Sequence, residues 1–215
     1  MTNVRGKKVL VTAGPTHEPI DPVRFIGNRS TGKMGYEICT CLEQNGANVT
    51  LVTGPTTIPL PTGVTIREVQ TAQEMYEECM SCFDNMDIII LAAAVADYTP
   101  KVVSDIKIKK KEGEFSLALV RTKDIAKELG LIKKANQLLI GFALETNDEL
   151  QNAKSKREKK NFDFIVLNSL QNKGTCFGTD RNQVVIIDKD KELYFEQKSK
   201  KQVAQDIISH IETLL

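Results

Sequence analysis

Lysine is the residue that most often stands where this chain could do chemistry. Lys107, Lys109, Lys110 and Lys111 fall within five positions, Lys156 and Lys160 lie four apart, and Lys33 closes the run GNRSTGK. An ammonium group is a point charge that neutralises phosphate oxygens, but it equally suits a solvated surface, and spacing alone does not choose. On a strand, Lys107, Lys109 and Lys111 would share one face, with Lys110 on the other. On a helix, Lys156 and Lys160 share a face that could grip a polyphosphate. The segment from Gly27 to Met34 satisfies G-x-x-x-x-G-K, but Met34 occupies the place where a phosphate-binding loop needs a metal-binding hydroxyl. It also follows the loop THEPIDPVRFIG instead of a core strand. What survives is physical: Ser30, Thr31, Gly32 and Lys33 open a predicted helix. Free N–H groups and the helix dipole there make an anion site.

Three further patterns carry less. TAGPTHEP has one glycine, Gly14, followed by Pro15, so the dinucleotide fingerprint G-x-G-x-x-G is missing and a nicotinamide-dependent reductase is disfavoured. Tyr194 and Lys198 form a Y-x-x-x-K on a predicted strand, where the two would not share a helical face. Cys79 and Cys82 form a C-x-x-C inside the helical segment TAQEMYEECMSCF, with no second such pair and only His17 and His210 to add imidazole. A structural zinc site wants four clustered ligands, so packing is the better reading.

The elements that must position these groups alternate. KKVLVTAG is a strand ending in a glycine turn. Thr31 to Asn45 places Met34, Ile38 and Leu42 on one helical face, with Gly46 as its stop. ANVTLVTG and VTIREVQ are strands. Thr71 and Glu74 make a capping box for the helix that follows. MDIIILAAAV is a continuous apolar strand, as expected at the centre of a sheet covered on both faces. SDIKIKKKEGEFSLALV reads as a basic strand, a KEGE turn and a second strand, a projecting hairpin at about 100–121. Thr122 to Lys134 is a helix, NQLLIGFA a strand, Asn147 to Lys160 a Lys-rich helix and FDFIVLN the last core strand. QNKGTCFGTDRN reads as a loop, NQVVIIDKDKELYFEQ as a hairpin, and Lys200 to Leu215 as a closing helix. The expectation is an α/β fold, Rossmann-like and doubly wound, with a mostly parallel sheet, helices on both faces and one domain over 1–215. Ligands then bind beyond the carboxyl ends of the strands, at the loops after Ala13, Thr53 and Ala96.

Composition narrows the partners. The 215 residues are 41% hydrophobic and 27% charged with a formal net charge of +1, an ordinary globular balance. Nothing in it favours nucleic acid or a membrane surface. The longest apolar run, Ile88 to Ala96, is too short to span a bilayer. Five cysteines without a paired framework suit a reducing compartment.

In combination the motifs are more specific than any one of them. VTAGPTHEPIDPVRFIGNRSTGKMG, GANVTLVTGP, AAAVADYTP, KIKK, KDI, GFALET, the Lys156/Lys160 pair and DFIVLN follow one another as in the bacterial phosphopantothenoylcysteine synthetases, which this chain resembles over nearly its whole length. The resemblance implies a cytoplasmic ligase of coenzyme A biosynthesis. It would join phosphopantothenate to cysteine with CTP and Mg2+, through an acyl-cytidylate, releasing CMP and pyrophosphate; ATP is the alternative nucleotide. By the same resemblance Leu91, Ala92, Ala93, Asp97, Lys107, Lys123, Asp124, Ile125, Ala126, Phe142, Lys156 and Lys160 bind the nucleotide, with Lys107 catalytic. Gly14, Arg24, Asn28, Ser30, Thr31, Gly32 and Lys33 bind the acid, with the Asn28 amide hydrogen-bonding the acyl intermediate and polarising it for attack by the cysteine amine. No metal ligands are visible. A homodimer is implied, as is a phosphopantothenoylcysteine decarboxylase, fused or separate. The chain departs from the family's pattern in having Thr122 and Lys123 where Asn-Pro is common, STGKMG for SSGKMG, and LNSL where the last strand often ends in Ala-Asn-Asp, which leaves the role of Asn168 open.

Overall fold

The computed structural model describes residues 3–110, 112–169 and 179–215. From the N-terminus, β1 (Lys8–Ala13) leads into β2 (His17–Pro19), β3 (Phe25–Gly27) and α1 (Lys33–Gln44). Then come β4 (Asn48–Thr53), β5 (Thr65–Glu68), α2 (Ala72–Phe83), β6 (Ile88–Leu91), β7 (Tyr98–Pro100) and β8 (Leu119–Arg121). The second half holds α3 (Ile125–Ile132), β9 (Leu138–Glu145), α4 (Glu149–Lys159), β10 (Phe164–Ser169), β11 (Arg181–Asn182), β12 (Val184–Ile187), β13 (Glu192–Tyr194), β14 (Lys198–Ser199) and α5 (Lys200–Glu212).

Eight strands form the central sheet in the order β13-β12-β10-β9-β6-β1-β4-β5. Its six strands from β10 to β5 run parallel, and the β12–β13 hairpin adds two antiparallel strands at one edge. Alternate residues send their side chains to opposite faces. Val9, Val11, Ile88, Ile90, Ile140, Phe164 and Val166 pack on one side under α1 and α5. Leu10, Ile89, Leu139, Ile165 and Leu167 pack on the other under α2, α3 and α4. This is the expected doubly wound α/β sheet. Three two-stranded ribbons flank it: β2–β3, β7–β8 and β11–β14.

Local signals fixed several boundaries. Thr71 and Glu74 make the reciprocal capping box that opens α2, an arrangement worth about 1 kcal/mol. Cys79 and Cys82 lie buried in that helix, and burial pushes the Cys79 thiol well up from its ordinary range and the Cys82 thiol up as well. Two expectations need correction. The apolar run Ile88 to Ala96 is a strand only as far as Leu91. Beyond it the threonine hydroxyls of β1 and its loop replace ladder partners: Thr12 Oγ1 accepts from Ala93 N–H at 3.2 Å and Thr16 Oγ1 from Ala96 N–H at 2.9 Å. The basic segment 104–110 contains no strand, so its lysines do not alternate across a pleat; only the roots of the projecting hairpin pair, as β7 with β8. Lys111 and most of the loop QNKGTCFGTDRN, through residue 178, lie outside the described residues.

Candidate active site

The carboxyl ends of β1, β6, β9 and β10 and loops that follow them build two adjoining clefts, whereas the loop after Thr53, expected at the same edge, lines neither. The first, about 580 Å³, is lined by Leu91, Ala93, Asp97, Lys123, Asp124, Ile125, Ala126, Phe142, Lys156 and Lys160, all expected nucleotide residues. The second, about 360 Å³, is lined by Asn28, Ser30, Thr31, Gly32 and Lys33, all expected on the acid side. Five residues border both: Ala93, Val95, Asp97, Phe142 and Lys156.

Charge in the first cleft comes from α4. Lys156 is deeply set; its Nζ donates to the Phe142 carbonyl at 3.1 Å. Burial lowers its pKa from the ordinary lysine value, while Glu145 and Asp97 oppose that shift. Lys160, four residues and so about one turn further along the same face, is paired with Asp124. Its pKa is also lowered by burial, against the pull of Asp97. Asp124 in addition caps α3 by accepting from Lys127 N–H at 3.0 Å. Lys123 lies with Nζ 4.2 Å from the centre of the Tyr76 ring, a cation–π contact that fixes the start of the KDI turn.

The second cleft is built mainly from backbone. Gly32 caps α1 at φ 77, with no side-chain cap and no acidic residue in the first turn. An L side chain is strained at that φ, so glycine lets the chain turn into the helix with its N–H groups facing the cleft. Gly35 brings the same helix against β1, since a Cβ there would sit 2.5 Å from that of Ala13. The helix begins at Lys33, so Ser30 and Thr31 belong to the approach, where Ser30 Oγ accepts from Gly32 N–H at 3.2 Å. Lys33 is paired with Asp180, and its charge holds that carboxyl below its usual range. Asn28 Nδ2 donates to the carbonyls of Ala94 at 2.9 Å and Val95 at 3.3 Å. The amide nitrogen is therefore engaged by protein, and the amide oxygen is the end left for a reactant.

Four expected residues sit elsewhere. Ala92 lines the acid-side cleft. Gly14 lines neither cleft; its carbonyl accepts from Ala94 N–H at 2.9 Å and so ties the β1 loop to the segment after β6. Arg24 lines neither, because its guanidinium is engaged by Asp21 and by the Ile108 carbonyl. Lys107 is exposed on the arm and also lines neither. Conversely, Asn182 and Lys200 line the acid-side cleft beside Asn168 and were not foreseen. Asn182 Nδ2 donates to Asn168 Oδ1 at 2.8 Å. Both newcomers arrive through the β11–β14 pairing, only two residues long, which leaves no periodicity to read.

The family model for the DNA/pantothenate metabolism flavoprotein C-terminal domain matches residues 4–215. Over 188 residues the chain is 50% identical to the coenzyme A biosynthesis bifunctional protein CoaBC of Bacillus subtilis (strain 168), covering 87% of this chain and 46% of that protein. It is 51% identical over 214 residues to a protein of an unknown prokaryotic organism named cysteine/cysteine sulfinic acid decarboxylase, covering 99% of this chain and 60% of that one. The chain thus spans about half the length of these curated relatives. A crystal structure of the C-terminal domain of a CoaBC protein superposes with a TM-score of 0.85 at 40% identity, covering 100% of this chain and 98% of that one.

Proposed function

Since the chain belongs to the family of DNA/pantothenate metabolism flavoprotein C-terminal domains, we propose that it is a phosphopantothenate–cysteine ligase of coenzyme A biosynthesis that uses CTP. The observation that carries this reading is the shared wall: a lysine-lined cleft and a helix-N-terminus cleft meet at Ala93, Val95, Asp97, Phe142 and Lys156. A carboxylate is a poor electrophile, because its charge repels nucleophiles and oxide is a poor leaving group. Activation by nucleotidyl transfer followed by aminolysis needs two binding sites that open onto one reacting carbon, and adjoining clefts supply that arrangement.

In the first step a carboxylate oxygen of phosphopantothenate attacks the α-phosphorus of CTP, and pyrophosphate leaves. Lys156 and Lys160 bind the triphosphate, and Lys107 on the arm neutralises charge that develops at phosphorus. In the second step the cysteine amine attacks the acyl carbon, loses a proton and expels CMP with the former carboxylate oxygen. The N-terminus of α1 holds the phosphate of the acid. The Asn28 amide oxygen accepts from the attacking amine and aligns it, a different division of labour from polarising the acyl group. Mg2+ arrives on the triphosphate: among the described residues no three carboxylate, histidine or cysteine groups cluster to hold a metal themselves. No described helix is long and apolar enough to cross a membrane. A homodimer and a decarboxylase acting on the product, fused or separate, complete the proposal; the exposed Val102, Ile106 and Phe115 of the arm suit a subunit contact.

Pyrophosphate release tests the reading. It should require phosphopantothenate, proceed without cysteine to one equivalent, and turn over once cysteine is added. ATP in place of CTP should be slower. No release with either nucleotide would sink the ligase.

A further inference from the structure

Asp21 is a buried carboxylate that this scheme leaves without a task. It is 3% exposed, and five N–H groups converge on it. Oδ1 accepts from the backbone N–H of Val23 and of Arg24, each at 2.9 Å. Oδ2 accepts from Arg24 Nε at 3.1 Å, from Arg24 Nη2, and from the backbone N–H of Ile108 at 3.0 Å. Arg24 Nη2 also donates to the Ile108 carbonyl at 2.7 Å. Both backbone polar groups of Ile108 are therefore held by one ion pair that sits 84 to 87 positions away in sequence. Ile108 stands between Lys107 and Lys109.

A β-turn needs only the Oδ1 contacts. The Oδ2 contacts serve the arm, which has no strand or helix between 101 and 110 to hold it in place. A second bond, Ser104 N–H to the Ile20 carbonyl at 3.0 Å, fastens the same stretch to the same turn. Burying a carboxylate costs free energy unless it is fully bonded, and here the cation and the amides offset that cost.

We propose that Asp21 and Arg24 form a clamp that positions the basic arm, so that Arg24 serves the nucleotide step through Lys107 instead of gripping the acid. The clamp joins the segment that leads to Asn28 with the segment that carries the arm lysines, and so couples the two half-reactions. It rests on the ligase reading for its catalytic consequence, but its mechanical part stands alone.

Two measurements on the full chain test it. Limited trypsin digestion reports the arm directly, since the protease cuts after lysine. Asp21→Asn should be cut at Lys107, Lys109 or Lys110 at least about tenfold faster than the parent, with other sites unchanged. The rate constant of the one-equivalent pyrophosphate burst in the absence of cysteine should fall about tenfold or more in Asp21→Asn, with the CTP concentration for half-maximal rate little changed. In combination with Lys107→Gln the rate constant should fall no further than in Lys107→Gln alone, because one residue acts through the other. A merely structural role predicts that the two losses multiply, and multiplication overturns the clamp, as does unchanged arm cleavage. Should Asp21→Asn fail to fold, Arg24→Gln gives the same readings, since it keeps the turn contacts of Asp21 and drops the Ile108 carbonyl link. If the parent protein releases no pyrophosphate, the ligase reading fails, and the digestion still decides the clamp.

Discussion

In the proposed scheme the two clefts bind anions by opposite means. The nucleotide-side cleft does so with side chains, Lys156 and Lys160 on one face of α4, their charges set against Asp97, Asp124 and Glu145. The acid-side cleft does so mainly with backbone, the uncapped N-terminus of α1 at Gly32, flanked by the amides of Asn28, Asn168 and Asn182 and bordered by Lys33, Lys156 and Lys200. A side-chain site is easily altered one charge at a time and titrates with pH. A backbone site has no proton to lose, and fails only when the turn that aims it is distorted. The wall between the clefts is apolar except for Asp97 and Lys156, and the proposed scheme puts the reacting carbon where the two kinds of recognition meet.

The largest effect should come from the residue that serves the junction. Asn28→Ala removes an amide fixed on Ala94 and Val95. Pyrophosphate release should continue to one equivalent while amide formation falls by about 10²-fold or more, the size seen for loss of one positioned transition-state hydrogen bond. The acyl nucleotide should accumulate, visible by mass spectrometry after a quench. Amide formation at the parental rate would place Asn28 outside the second step.

Next in size is a change confined to the side-chain cleft. Lys160→Gln removes one cation from the triphosphate and frees Asp124 from its pair. The KM for CTP should rise about tenfold, and it should rise less steeply with added salt than in the parent, since one charge contact fewer is screened. Affinity for phosphopantothenate should not move. A matching change in both affinities would mean that the clefts are one site.

Gly32→Ala is the converse. It places a Cβ at φ 77 and within 3.0–3.2 Å of Thr56 and Gly14. The strain should lower stability by about 1–2 kcal/mol. The affinity for phosphopantothenate should fall several-fold with the KM for CTP unchanged. Calorimetric titration with each ligand separately reads both.

The same contrast explains what the sequence showed. Features set within a few residues were legible: the Thr71–Glu74 capping box, the Lys156/Lys160 face, the Gly46 stop after α1. Side chains aligned by helical spacing land where spacing says. Features set by distant partners were hidden. Strand β6 ends at Leu91 because Thr12 and Thr16, about eighty positions earlier, offer hydroxyls in place of ladder partners. The alternation in KIKKK looked like a strand, but a strand needs a partner, and Asp21 and Arg24 hold that backbone instead. Asn182 and Lys200 enter the cleft through a two-residue ribbon. The resemblance to a family named segments that the structure gathers round two clefts, although Arg24 and Lys107, named with them, line neither.

The smallest effect separates the clefts by pH. Lys156 has its pKa lowered by burial. It therefore loses its charge, as pH rises, before an exposed lysine would, and the KM for CTP should begin to climb at a correspondingly lower pH. Affinity for phosphopantothenate should change less over that window once the titration of its own phosphate is complete, because Lys156 only borders the acid-side cleft and the N-terminus of α1 there has no proton to lose. Stability moves with the opposite sign to nucleotide binding. Between the lowered folded pKa and the ordinary unfolded value, the unfolded chain binds the proton and the folded chain does not, so stability rises with pH there. Below that window both states are protonated, and the folded state carries the full cost of a buried cation. Lys156→Met removes that cost. It should stabilise the ligand-free protein at neutral pH by about 0.5–1 kcal/mol, with the advantage shrinking as pH rises through the window. Thermal melts of the two proteins from pH 7 upward measure the difference. A constant gap between them would mean that the ammonium is solvated in the cleft, and that Lys156 binds nucleotide as a surface charge would.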